Sequence, residues 1–186
     1  MDIKQILIND ILIPAIKCLY QMDYDNIRFG VSERNICARL AHHIENIMRE
    51  YDKQHDDSPF IGYFADVEYN RMGNGDLKHY ENSAHRRQYM VSDLLIQSRG
   101  HERNLLAIEM NRKGNYKGVK EDKDRLQSIV SPASNEMIDR CVHDTLLGAF
   151  IVYSPKEVVI EFFENVNGHG QIVSEERLMP LFHKRS

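Results

Sequence analysis

Apolar residues along the chain follow two different periods, and the places where the period changes mark out the elements. Residues 3–20 are rich in Ile and Leu and read as a helix, broken or kinked near Pro14. Ser32 is a good N-cap, and Ile36, Leu40, Ala41, Ile44, Ile47, Met48 and Tyr51 then recur at helical spacing, predicting an amphipathic helix to about residue 51. Residues 60–70 alternate instead. Ile61, Tyr63, Ala65, Val67 and Tyr69 fall on one face of a strand, and Asp66, Glu68 and Asn70 fall on the other. A polar connection over 71–87, with the turn dipeptide Asn74-Gly75, leads to two apolar strand-like runs at 89–97 and 104–112. Gly114 ends the second run. Residues 119–130 predict a helix with Leu126, Ile129 and Val130 facing inward, and 147–154 and 157–165 predict a hairpin turning at Pro155-Lys156. Gly168-His169-Gly170 reads as a turn and 175–183 as a short terminal helix at most.

The order is helix, three strands, helix, two strands. Short links favour antiparallel pairing of the first three strands, and the helix after the third allows the fourth to return parallel. The expected fold is therefore α/β: a three-layer α/β/α arrangement around a central mixed sheet. With 186 residues the chain is expected to form one domain, comprising an N-terminal helical arm (1–24), a core (32–165) and a C-terminal extension (166–186).

Apolar residues make up 42% and charged residues 28%, which fits a globular protein and excludes a disordered one. Cys18, Cys37 and Cys141 are too few and too scattered for a disulfide framework or a zinc ribbon, so reduced thiols and a cytoplasmic location are expected. Asp2, Asn9, Asp10 and Pro14 interrupt the apolar N-terminal run, which argues against a signal peptide or membrane span. The net charge of −4 is unevenly spread. Residues 69–120 carry 10 Lys/Arg against 5 Asp/Glu, a local +5, leaving −9 on the flanks. Such a basic middle suits a phosphate-bearing substrate, although a solvated basic loop would look the same.

Each of the two apolar runs contains one carboxylate, Asp93 in the first and Glu109 in the second. A carboxylate is costly to bury unless it is paired or binds a metal, and two on adjacent antiparallel strands can converge on one hard cation. The competing reading is a structural pairing with Arg112 or Arg99. This two-carboxylate pattern is similar to the metal site of the PD-(D/E)XK, or restriction-endonuclease-like, nuclease superfamily. The element order over about residues 32–165 resembles that family's core. Asp66-Val67-Glu68-Tyr69-Asn70-Arg71 on the first strand resembles the Glu-Tyr-Asn-Arg signature of one bacterial group of nuclease-like proteins. The chain departs from the motif at Ser92, where proline is usual, and at Asn111, where lysine is usual.

The resemblance implies a divalent-metal-dependent nuclease acting on DNA or RNA, with Mg²⁺ or Mn²⁺ held by Asp93, Glu109 and the carbonyl of Met110. Two further carboxylates are candidates for the metal: Glu45, in the place of the family's first-helix glutamate, and Glu68, which otherwise would pair with Arg71 or Arg39. Asn111 is neutral and cannot supply the charge of the usual lysine. Lys113 lies two residues further along the same strand face, ~6–7 Å away, and could replace it if the strand runs that far. Arg71, Lys78, Arg86, Arg87, Lys113 and Lys117 are the candidate phosphate contacts. The alternative is a catalytically degenerate member that binds nucleic acid or a protein partner. A weaker third reading is a structural subunit docking through residues 1–24. A homodimer would suit an enzyme cutting both strands. His42 and His43 project ~100° apart on a helix and cannot clasp one ion, and no HExxH or CxxC pattern exists, so zinc is not expected.

Overall fold

A computed structural model describes residues 2–68, 79–81, 87–89, 91–98, 104–132 and 145–179, with 79–81 and 87–89 described as backbone only. Arg71, Lys78 and Arg86 lie outside the described residues, as do Tyr69, Arg99 and Cys141, and the side chain of Arg87 is not described.

The N-terminal helix is not broken at Pro14. α1 (Ile3–Ile6) runs into a π-helical turn over Leu7–Leu12 and then into α2 (Ile13–Met22). The wider turn sits just before the proline, where the missing N–H and the bulky ring would strain an ordinary α-helical turn. Residues 3–22 do not stand apart as an arm. Ile6, Leu7, Ile11, Leu12, Ala15, Ile16, Leu19 and Tyr20 are buried in the main core. A short helix that the apolar pattern did not suggest, α3 (Tyr24–Phe29), ends in left-handed Gly30. α4 (Glu33–Gln54) starts at the expected cap, with Ser32 Oγ accepting the N–H of Asn35.

Asp23, between α2 and α3, fastens this layer to α4. Its carboxylate accepts from Arg39 Nε at 2.8 Å and lies 2.7 Å from His43 Nε2. Burial works against the charged form, but the hydrogen bonds from Arg39 and His43 outweigh it and hold the carboxyl below its ordinary 3.8. The stabilisation is therefore fully present above the ordinary value and disappears as pH falls through the lower, folded one. Asp23→Asn should cost roughly 1–3 kcal/mol at neutral pH. In urea melts across pH, that difference should vanish at the acid end. A gap independent of pH would assign it to packing.

Six strands form the main sheet in the order β1 (Tyr63–Val67), β4 (Leu94–Ser98), β5 (Leu106–Arg112), β6 (Leu147–Tyr153), β7 (Val158–Val166), β8 (His169–Leu178). The β1–β4 and β4–β5 pairs are antiparallel, β5–β6 is parallel across α5 (Val119–Val130), and β6–β7–β8 are antiparallel. This is the expected mixed α/β sheet. Three local expectations differ. The first strand is shorter than 60–70, because Gly62 and Glu68 both take positive φ at its ends. Residues 87–89 (β3) pair with 79–81 (β2) as a separate ribbon, so the strand carrying residue 93 begins only at Leu94. Residues 175–178 are strand, not helix. Asn167-Gly168, both at positive φ, make a two-residue hairpin turn that sends β8 back along β7.

Helices cover both faces. On β5, Leu106, Ile108 and Met110 join the core under α4, whereas Ala107 joins Leu126, Ile129 and Val130 of α5 on the other face. The start of β8 packs on α5 without a side chain between them. A Cβ added at Gly170 would lie 2.1 Å from the Gln127 carbonyl oxygen and 2.6 Å from its Cα. Neither backbone can yield cheaply, so Gly170→Ala should lower stability by about 2–3 kcal/mol, read as a shift in the urea midpoint at unchanged m-value. Among the described residues no helix is long and apolar enough to cross a membrane.

Candidate functional site

Strand β5 outruns its neighbour. Pairing with β4 stops at Leu94↔Ile108, while β5 continues to Arg112 against β6. Even-numbered β5 amides point toward the β4 side, so those of Met110 and Arg112 lose their strand partner. Buried amides need acceptors, and carboxylates supply them. Asp93 Oδ2 takes the Met110 N–H at 2.7 Å, and the Glu33 carboxylate lies beside the Arg112 amide, which favours its charged form. Main-chain geometry fixes Asp93 as well, because its carbonyl accepts the Glu68 N–H at 3.2 Å.

Glu109 lies on the α5 face of β5 and is 1% exposed. It lies close enough to Asp93 for each carboxyl to act on the other's ionisation. Arg125 of α5 brings Nη1 to 2.7 Å from Glu109 Oε1, off the direction of a hydrogen bond, and its Nη2 lies 3.3 Å from Asp122. Asn111, two residues on and on the same face, is 3% exposed, and its Oδ1 finds no hydrogen-bond partner among the described residues. Nor does the buried Oγ of Ser92.

The electrostatics are those of an acidic pocket with too little positive charge. Burial raises Asp93, and nearby Glu68 adds to it, against the Met110 amide and Arg125. Burial pushes Glu109 well above the carboxylate range, with Asp93 adding to it, and Arg125 does not restore the balance. Glu33 and Asp122 are raised too, by burial first and then by Asp93. Burial and the same ring of acids push the Cys37 thiol up, which disfavours the thiolate. Carboxyls held above their ordinary range in one pocket are a recognised mark of functional sites.

The candidate residues fall in different places. Asp93, Glu109, Met110 and Asn111 come together. Glu68 stands at the edge of the group, its carboxylate 2.7 Å from Arg34 rather than near Arg39, which is engaged by Asp23. Glu45 is ~18 Å along α4 from Glu33, and its carboxylate accepts from the Ala65 amide and from Arg49. The helix glutamate beside the pocket is Glu33. Lys113 follows the end of β5, and its ammonium is bonded to Glu157. Lys117 is exposed on the loop after β5. Of the two arginines expected as structural partners, Arg112 lays its guanidinium against Gly30 instead, and Arg99 lies outside the described residues.

Glu33, Asp122 and Arg125 were not singled out in the sequence. Only Arg125 carried a signal, an arginine one residue before Leu126 on the inward stripe of α5. Among the described residues, no group of three or more His, Cys, Asp or Glu side chains is disposed to hold a metal ion. Mg²⁺ asks for less. It keeps several waters and needs one or two carboxylates, here with the Met110 carbonyl and the orphaned Asn111 Oδ1 as further hard oxygens. Hard oxygen donors of this kind are the type that Mg²⁺ takes, whereas zinc mostly takes His and Cys. No protein-family model and no curated protein matches the chain.

Proposed function

We propose that the protein is a divalent-metal-dependent phosphodiesterase of the nuclease type, with a restriction-endonuclease-like core and Asp93, Glu109 and the Met110 carbonyl as the ligands of Mg²⁺ or Mn²⁺. The observation that carries this reading is the meeting of the Asp93 and Glu109 carboxyls on one face, where β5 outruns β4. A bound divalent ion would neutralise a phosphate and lower the pKa of a water. Asp93 is held in place through the Met110 amide, and Glu109 is buried where water cannot compete for it. The basic residues of 69–120, including Arg71, Lys78, Arg86 and Arg87, are the proposed contacts to the nucleic-acid backbone. The test is cleavage of labelled single- and double-stranded DNA and RNA with Mg²⁺, Mn²⁺ or EDTA. Absence of metal-dependent cleavage on all four substrates would remove the hydrolase.

One observation favours a second reading, a binding-only member of the same fold. The position of the usual lysine holds buried, neutral Asn111, and the ammonium of Lys113 is engaged by Glu157. Lys113→Met separates the possibilities in an active enzyme. A lysine that orients the attacking water acts mainly in the transition state, and its loss would lower the rate by orders of magnitude. With the ammonium held at Glu157, the expected change is within about twofold, the scale of a screened surface pair.

A further inference from the structure

We infer that Arg125 is an exchangeable counter-ion of the acidic pocket: it holds the place of a divalent cation at Glu109 and moves over to Asp122 when the cation enters. This rests on the metal reading above and assigns a role to a residue outside the ligand set.

The argument starts from the position of the guanidinium. Nη1 is 2.7 Å from Glu109 Oε1, and Nη2 is 3.3 Å from Asp122 Oδ1. One arginine therefore already spans both carboxylates, and the second is three residues back on its own helix. A cation bound to Glu109 within an ordinary carboxylate–oxygen distance would stand a few ångström from this charge. Like charges at that range repel strongly in a partly buried site. Arg125 cannot stay in its present position against such an ion, and Asp122 gives it somewhere to go without leaving α5. The loose fit to Glu109 agrees with exchange, since the contact is close but off the direction of a hydrogen bond. Asn111 Oδ1 meanwhile lies buried on the same face with no donor, an oxygen that Arg125 does not use.

Mn²⁺ binding to the whole protein, followed by calorimetry without substrate, tests the exchange. Arg125→Met should bind Mn²⁺ at least about tenfold more tightly than wild type, because a competing positive charge is gone. Arg125→Lys, which keeps the charge, should bind within about threefold of wild type. Asp122→Asn should weaken binding in the wild-type background and much less in Arg125→Met, where nothing needs the landing place. Equal or weaker binding by Arg125→Met, with wild-type binding intact, overturns the exchange and leaves the metal reading standing. Failure of wild type, Arg125→Met and Arg125→Lys alike to bind Mn²⁺ removes the metal reading and the exchange with it. Should Arg125→Met not fold, the wild type answers by NMR. The Arg125 Nε–Hε signal should shift and saturate with Mg²⁺ in wild type and stay put in Asp93→Asn, and a signal that ignores bound Mg²⁺ overturns the idea.

Discussion

Asp93→Asn should lower metal-dependent hydrolysis by at least about a thousandfold, while the protein stays folded with a melting temperature within a few degrees of wild type. The two halves follow from different atoms of one side chain. The amide oxygen of asparagine can still accept the Met110 N–H that Asp93 Oδ2 accepts at 2.7 Å, so the open edge of β5 remains satisfied. What the change removes is charge. An ion loses one of its two carboxylate ligands, and metal assistance is worth several kcal/mol of transition-state stabilisation, at ~1.4 kcal/mol per factor of ten in rate. Mn²⁺ affinity should fall in parallel. A variant that keeps most of the wild-type rate would place the chemistry elsewhere. A variant that loses the rate by unfolding would make Asp93 a structural strut.

The elements that the sequence predicted best are those whose apolar stripe is long and unambiguous. α4 begins at Ser32 as its cap and stripe require, and α5 buries Leu126, Ile129 and Val130 as spacing predicts. The antiparallel pairing of the strands carrying Leu95 and Ala107 follows from their short connection. The misread segments each hid a physical cause. Pro14 reads as a break or a kink, and the structure answers with one irregular π turn just before it rather than a break. The strand at 169–178 is an edge strand, mostly exposed and rich in Glu and Arg, so it has no apolar face to show a period of two. Its pairing comes from the Asn167-Gly168 turn and from Gly170 lying flat on α5.

In the pocket, Asp93 and Glu109 were legible because a lone carboxylate within an apolar strand is conspicuous. Their convergence was legible too, because antiparallel pairing with Leu94 opposite Ile108 puts residue 93 across from Glu109 on the same face, even though Asp93 precedes β4. Glu33 was hidden by its ordinariness. An acid in the first turn of a helix suits the helix dipole wherever the helix lies, and only the unpaired Arg112 amide makes this one part of the pocket. Glu45 looked equivalent from sequence because it sits on the same helix, about three turns away, where its carboxylate meets Ala65 and Arg49 instead.

Glu109→Met combined with Arg125→Met should give a protein more stable than wild type by about 1–3 kcal/mol and devoid of metal binding. Desolvating two charges costs more than their attraction returns unless the geometry is excellent, and well-packed apolar side chains of similar volume commonly do better. Here the geometry is not excellent. Arg125 approaches Glu109 at 2.7 Å off the hydrogen-bond direction, burial holds the Glu109 carboxyl well above its ordinary range, and Asp93 crowds it further. Arg125→Met alone should instead cost roughly 3 kcal/mol, because it leaves Glu109 buried with no cation beside it. The sign change between the single and the double variant, read from urea midpoints at constant m-value, is the informative quantity. Stability given up at one buried pair, and recovered when both members are removed, is the expected signature of residues kept for a function rather than for the fold. A double variant less stable than either single one would reverse that inference and make the pair a structural tie between β5 and α5.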